Sequence, residues 1–236
     1  MLLYQDTQSY CYNSDTHFLY SFICECLKDF KNIGGELLDV GSGCGILGLL
    51  IARDYKKLKL NQIEIYPKMQ FLSQKNSEIN NIDSRLFCGN FSELEFDKLF
   101  DFVVSNPPFY HKGSIMSENE HLKKARYNES LPLETFISKV SKILNNGGKF
   151  AFCYDVKQIV DIMICLRQSN FAIEKMQFVH PKIDKKSTLV MVFARKNTKS
   201  LMNLLPPLIA FEGEEYSQDA KNIYKKSATH SIKVEL

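Results

Sequence analysis

The stretch from Glu36 to Leu50 constrains this chain most. Glu36-Leu37-Leu38-Asp39-Val40-Gly41-Ser42-Gly43-Cys44-Gly45-Ile46-Leu47-Gly48-Leu49-Leu50 reads as a strand, a glycine turn and a helix in immediate succession. Glycines let the backbone approach a ligand at a helix N-terminus, because no Cβ stands in the way. A Gly-x-Gly-x-x-Gly is present at Gly43, Gly45 and Gly48, but the turn has already begun at Gly41, so the pattern is weak support for a dinucleotide site. Asp39 discriminates further. A carboxylate in the strand just before the turn repels a pyrophosphate and suits a cationic ligand.

The alternation then repeats. Lys59 to Ile65 is the expected second strand. Its acidic Glu64 lies ~20 residues past the glycine loop, where a carboxylate accepts hydrogen bonds from ribose hydroxyls. Pro67 suits the first turn of a helix running to about Asn80. Arg85 to Cys88 is a short third strand followed by Gly89-Asn90-Phe91, and Leu99 to Ser105 is a fourth that delivers Asn106. The pattern continues with a helix from Leu131 to Leu144, ended by Asn145-Asn146-Gly147-Gly148 as a glycine stop. A fifth strand from Lys149 to Tyr154, a helix from about Val156 to Gln168 and strands over 171–179 and 188–195 follow. The tail, 200–236, is expected to add a last strand and a short helix on the sheet. Ahead of all this, Asp15 or Ser14 caps a helix from about Thr16 to Lys28. That helix packs over a sheet edge, or else sets Gln5, Asp15 and Thr16 above a bound cofactor. Strand–helix alternation implies a parallel sheet with helices on both faces and ligands at the carboxyl ends of its strands. Asp39, Glu64, Asn90 and Asn106 fall at four such ends, in sequence order.

Composition excludes more than it assigns. A chain of 236 residues is long enough for one sizeable domain. Met1-Leu2-Leu3-Tyr4-Gln5-Asp6 has neither the basic start nor the apolar core of a signal peptide. The longest apolar run, Ile46 to Ala52, is far too short to span a membrane. The seven cysteines are scattered, without paired Cys-x-x-Cys knuckles or a His-x-x-x-His, so no metal site is expected and a reducing, cytoplasmic setting is. A formal charge of +3 is too small to argue for nucleic acid by itself.

The chemistry concentrates in Asp101-Phe102-Val103-Val104-Ser105-Asn106-Pro107-Pro108-Phe109-Tyr110. Two prolines end a strand, since neither can donate to a ladder. The result is a stiff turn holding an amide, exposed carbonyls and an aromatic ring together; a plain strand-ending turn is the competing reading. An exocyclic amine is a poor nucleophile because its lone pair is delocalised. The Asn106 side-chain oxygen and the Pro107 carbonyl can each accept one of its N–H groups and stabilise the positive charge that builds as it attacks. Phe109 offers a face on which a base can stack, worth roughly 1–3 kcal/mol. The polar stretch to Asn128 reads as a substrate-facing loop in which Lys123, Lys124 and Arg126 can meet phosphates.

Asn106-Pro107-Pro108-Phe109 resembles the signature of amino-group methyltransferases that use S-adenosyl-L-methionine, and Leu-Leu-Asp-Val-Gly-Ser-Gly-x-Gly looks like their first motif. The resemblance implies a Rossmann-like class I α/β fold: a mainly parallel seven-stranded sheet, helices on both faces and an antiparallel last strand. Residues 1–30 would be a cofactor-covering segment, 31–196 the catalytic core and 197–236 an extension of one methyltransferase domain. Asp39, Gly41, Gly43, Gly45, Glu64, Asn90 and Asn106 would hold S-adenosyl-L-methionine. Asn106, Pro107 and Phe109 would be catalytic, and Pro108, Tyr110, Lys123, Lys124 and Arg126 would meet the substrate. His111 is not needed as a base, because an attacked amine loses its proton readily. Four further pieces are similar to the bacterial family that methylates N6 of adenine 37 in a valine tRNA: Asn13-Ser14-Asp15-Thr16, Ala125-Arg126-Tyr127, Val179-His180-Pro181-Lys182 and Glu212-Gly213-Glu214-Glu215-Tyr216-Ser217. They imply tRNA as partner, with its adenine flipped into the site. A protein glutamine, an rRNA guanine N2, or RNA binding without turnover are the alternatives.

Overall fold

The computed structural model describes residues 1–8, 11–107 and 131–236. After a separate strand β1 (Leu2–Asp6), seven long strands build the central sheet: β2 (Gly35–Val40), β3 (Leu58–Glu64), β4 (Ser84–Cys88), β5 (Phe100–Ser105), β6 (Leu144–Asp155), β7 (Phe171–His180) and β8 (Leu189–Lys196). Their order is β4-β3-β2-β5-β6-β8-β7. All are parallel except β8, which runs antiparallel to β6 and β7. This is the expected α/β class. Two-residue strands β9 (Asn203–Leu204) and β10 (Leu208–Ile209) lengthen the sheet along β7.

Successive side chains of a strand face opposite layers, and the core divides accordingly. Leu37, Phe102, Val104, Ala151 and Cys153 turn towards α1 (Ser14–Leu27), α2 (Ile46–Asp54) and α3 (Pro67–Ile79). Leu38, Val40, Val103, Phe150 and Phe152 turn towards α4 (Leu133–Ile143) and α5 (Ile159–Gln168). Helix α4 shows why such segments are helical. Leu133, Phe136, Ile137, Val140 and Ile143 recur at helical spacing and all are buried, each contributing about 1.5–3 kcal/mol of transfer free energy.

Local details differ from the sequence expectation. Helix α1 starts at Ser14, and its cap is Asn13, whose Oδ1 accepts from Asp15 N at 3.1 Å. Asn145-Asn146-Gly147-Gly148 does not stop a helix. Helix α4 ends at Ile143 and β6 begins at the next residue. Pairing slips between Phe100↔Leu144 and Phe102↔Lys149, so the four residues form an irregularity within the strand. Gly147 sits at φ +74, and a Cβ on Gly148 would stand 2.7 Å from the Asn145 carbonyl oxygen. These glycines serve the bulge instead. Val156–Gln158 is a 3₁₀ turn, and α5 starts only at Ile159.

The largest departure lies at the two termini. The tail carries a small hairpin of β11 (Phe211–Glu212) and β12 (Glu215–Tyr216), helix α6 (Gln218–Ser227) and strand β13 (His230–Val234). The last strand does not join the central sheet. It pairs in parallel with β1, from Leu2↔His230 to Asp6↔Val234. This two-stranded clasp is tied down by Asn76, whose Oδ1 accepts from Tyr4 N at 2.7 Å and whose Nδ2 donates to the Cys44 carbonyl at 2.8 Å. The same side chain therefore links the clasp to the glycine turn.

Candidate active site

Register brings the predicted residues into one row. Val40 pairs with Ile63, Glu64 with Cys88 and Asp39 with Val104. Gly41, Glu64 and Asn106 therefore share one level at the carboxyl ends of β2, β3 and β5, adjacent strands about 4.8 Å apart. A small extended ligand can lie across them.

Asp39 is buried, and its Oδ2 accepts from Gly48 N at 2.8 Å. Gly45, the residue at the helix cap, has no side chain to satisfy the first turn of α2. Asp39 does so from the neighbouring strand, and its charge is favourable at that helix end. Gly48 is what permits the contact: a Cβ there would stand 3.0 Å from Asp39 Oδ2 and 2.7 Å from Leu60 Cδ1. Burial pushes the Asp39 carboxyl up to about 7, against the opposing Gly48 bond. Glu64 is also buried and accepts three backbone N–H groups, from Gly43, Ile65 and Tyr66, at 2.8, 2.8 and 2.9 Å. Burial raises its pKa while these bonds oppose the rise. A carboxylate has about four lone-pair sites, so the bonds that pin the glycine turn to β3 leave acceptor capacity for a ligand hydroxyl.

Asn106 follows β5, whose last residue anchors to β2 through Ser105 Oγ donating to the Val40 carbonyl at 2.7 Å. Its amide is held on both sides. Nδ2 donates to Thr16 Oγ1 at 2.9 Å, and Oδ1 accepts from Cys153 Sγ at 2.9 Å. Pro107 is buried beside it. Asn90 lies two residues past the end of β4, and its Oδ1 accepts from both Ser92 N and Ser92 Oγ, at 3.0 and 2.8 Å, and so caps its own turn. Gly41, Gly43 and Gly45 form the turn, all at positive φ. Pro108, Phe109, Tyr110, His111, Lys123, Lys124 and Arg126 lie outside the described residues.

Two more residues enter the hydrogen bonding of this row: Thr16, which the sequence offered as one reading of helix α1, and Cys153, which it did not single out. Thr16 is buried on α1, and its bond to Asn106 spans 90 positions of chain, so the partner itself is not readable from the local sequence. Cys153 does carry a signal. It follows the Ser105↔Phe152 pair, and strand alternation turns it to the same face as Asn106. Helix α1 packs on the sheet as the packing reading required, and it also reaches the site through Thr16.

Which ligand fits is decided by the donor set. Asp39 offers a carboxylate to an ammonium, Glu64 offers oxygens to ribose hydroxyls, and Ser42 Oγ in the turn is buried without a protein partner. Gln5 Oε1, on β1 of the clasp, is another buried atom without one. That set fits S-adenosyl-L-methionine and opposes a pyrophosphate. Among the described residues no group of three His, Cys, Asp or Glu side chains is placed to hold a metal, and no helix is long and apolar enough to cross a membrane.

Comparison with known proteins agrees with the geometry. Residues 20–164, more than half of the chain, match the family model of the methyltransferase small domain. The chain belongs to that family. The tRNA1(Val) (adenine(37)-N6)-methyltransferase of Porphyromonas gingivalis is 28% identical over 140 residues, 56% of this chain and 54% of that protein. The release factor glutamine methyltransferase of Fusobacterium nucleatum is 27% identical over 170 residues, 68% of this chain and 48% of that one. The chain spans about half the length of these curated relatives. The solved 16S rRNA N2 G1207 methyltransferase of T. thermophilus, in complex with AdoMet and guanosine, shares the fold with a TM-score of 0.57 at 21% identity, over 80% of this chain and 45% of that one. The fold is thus the one shared by solved S-adenosyl-L-methionine-dependent methyltransferases.

Proposed function

We propose that this methyltransferase transfers a methyl group to N6 of an adenine in tRNA, at position 37 of a valine tRNA. The observation that carries the reading is the Asn106 amide, fixed at the end of β5 on the level of Gly41 and Glu64. It is the group that an exocyclic amine requires, beside the groups that a sulfonium cofactor requires. The resemblance to adenine-N6 enzymes supports adenine over guanine or glutamine.

The cofactor, when bound, supplies an electrophilic methyl group on a cationic sulfur. The protein does the rest. Asp39 and the turn from Gly41 to Gly45 hold the methionine end, Glu64 the ribose, and Asn90, through its side-chain nitrogen, the adenine. Asn106 Oδ1 and the Pro107 carbonyl accept the two N6 hydrogens, and Phe109 stacks on the flipped base. On receiving the methyl group N6 would gain positive charge, which the Asn106 and Pro107 acceptors would stabilise, and it would then lose a proton to solvent. Pro108, Tyr110, Lys123, Lys124 and Arg126 meet the RNA in this reading. Catalysis is positioning and charge stabilisation. A loop base leaves its stack at lower cost than one in a duplex.

The test is methyl transfer from labelled S-adenosyl-L-methionine to tRNA lacking its own modifications, followed by digestion to nucleosides. Label in N6-methyladenosine is expected. Asn106→Ala should lower turnover by about 10²–10³-fold, the size seen when one preorganised transition-state contact is removed, while cofactor affinity persists. Label in guanine or in a protein glutamine, with none in adenine, overturns the reading.

A further inference from the structure

A primary amide presents two different faces, and only its oxygen can receive an amine hydrogen. A catalytic asparagine must therefore be fixed in rotation as well as in position. We propose that Thr16 and Cys153 are the positioning residues that set the rotation of the Asn106 amide, which makes the first turn of α1 part of the catalytic apparatus. The inference rests on reading Asn106 as the group that receives the reacting amine.

The geometry supplies a separate contact for each end of the amide. Thr16 Oγ1, on a residue 3% exposed, receives one Nδ2 hydrogen at 2.9 Å. Cys153 Sγ, on a fully buried residue, stands 2.9 Å from Oδ1 on the neighbouring strand. Burial holds that thiol well above its ordinary pKa, so it is an S–H donor and not a thiolate. Each contact uses one hydrogen or one lone pair, and the amide has two of each. One lone pair of Oδ1 remains for the substrate. Donation from Nδ2 to Thr16 polarises the amide and strengthens its oxygen as an acceptor, in the manner of linked hydrogen bonds. The thiol is the weaker partner, since sulfur is a poor donor.

Support for Thr16 comes from elements far apart in sequence. Asn13 caps α1 and fixes where its first turn begins. Tyr20, one turn further along the helix, donates to Asp54 at the end of α2, whose neighbour Arg53 donates to the Ser227 carbonyl of α6 at 2.6 Å. Thr16 is thus presented by a helix capped at its start and braced at its middle.

Two readouts test the assignment, one of them independent of any acceptor. In ¹⁵N-labelled protein the Asn106 side-chain amide signal is identified by its loss in Asn106→Asp, and its hydrogen exchange is measured in Thr16→Val, Thr16→Ser and Cys153→Ala. Steady-state methyl transfer to unmodified tRNA is measured alongside, with cofactor affinity and melting temperature as checks on folding. Thr16→Val should speed exchange of the amide and lower kcat about 10–100-fold, with KM for the cofactor within about threefold, as expected when a reacting geometry loosens by part of an ångström. Thr16→Ser, which keeps the hydroxyl, should restore both; Cys153→Ala should lower kcat only about two- to threefold, as befits a weak donor. Unchanged exchange in Thr16→Val overturns the proposal whatever the acceptor proves to be. Faster exchange with unchanged kcat overturns it too. Wild-type protein that leaves every tRNA unlabelled counts against the tRNA reading, while the exchange measurement still decides the role of Thr16.

Discussion

The rim of the sheet and the terminal clasp are linked through Asn76, and they are built in opposite ways. At the rim the partners are near neighbours in sequence. Asp39 bonds Gly48 nine residues on, and Glu64 bonds Gly43 twenty-one residues back. In the clasp, β1 meets β13 across more than two hundred residues, with Gln5 Nε2 donating to Ser231 Oγ at 2.8 Å. The rim carries carboxylates, with burial raising their pKa values. The clasp presents neutral polar atoms, among them Gln5 Oε1, buried and without a protein partner. The difference teaches that charge at the rim is kept where backbone N–H groups stabilise it, while the clasp is joined through neutral groups.

The largest effect that would break this contrast comes from Glu64→Ala. It removes the acceptor of three backbone N–H groups and the ribose partner at once, and each buried donor left unsatisfied costs about 1–3 kcal/mol. Cofactor affinity, read by calorimetry, should fall about 100-fold, equivalent to about 2.7 kcal/mol. An affinity within threefold of wild type would show that the rim does not hold the nucleoside. A smaller effect is expected at the clasp. Ser231→Ala removes the hydroxyl that joins Gln5 to Tyr12. It should lower stability by about 1–2 kcal/mol, with melting falling about 2–4 °C per kcal/mol in a chain of this size. Cofactor affinity should change less than threefold. A 100-fold loss of affinity without a stability change would reverse the roles of the two regions.

The same contrast explains what was legible in the sequence. Asp39, the turn from Gly41 to Gly45, Glu64 and Asn106 were readable because their chemistry is local and each ends a strand with a clear apolar pattern. The α/β order followed from alternation. What escaped was either long-range or ambiguous. Nothing in Leu2–Asp6 names His230–Val234 as its partner, since a short strand specifies a pleat and not a neighbour. Gly147-Gly148 suits a helix stop and a bulge equally, and only the pairing of Phe100 with Leu144 decides between them. Asn90 was readable as a strand-end polar group, but its Oδ1 is taken up by Ser92.

A pH effect sharpens the comparison most, because it makes one region titrate while the other stays silent. The Asp39 carboxyl is raised to about 7 by burial, with Glu64 as its charged neighbour. Its folded pKa lies above the unfolded value, so protonated Asp39 favours the folded ligand-free protein, and that contribution is lost as pH rises from about 4 to about 7. Cofactor binding has the opposite sign. An ammonium beside Asp39 favours the ionised carboxylate, so below pH 7 binding must release a proton. Affinity should therefore rise with pH up to about 7, by at most about tenfold per pH unit, and level off above it. His17 on α1, held down to about 4 by burial, is neutral near pH 7 and adds no slope there. Titration calorimetry in buffers of different ionisation enthalpy reads the proton directly. Asp39→Asn should abolish both the proton release and the slope at a weaker, constant affinity. A slope that persists in that variant would assign the proton to another group at the rim and leave Asp39 as the cap of α2 alone.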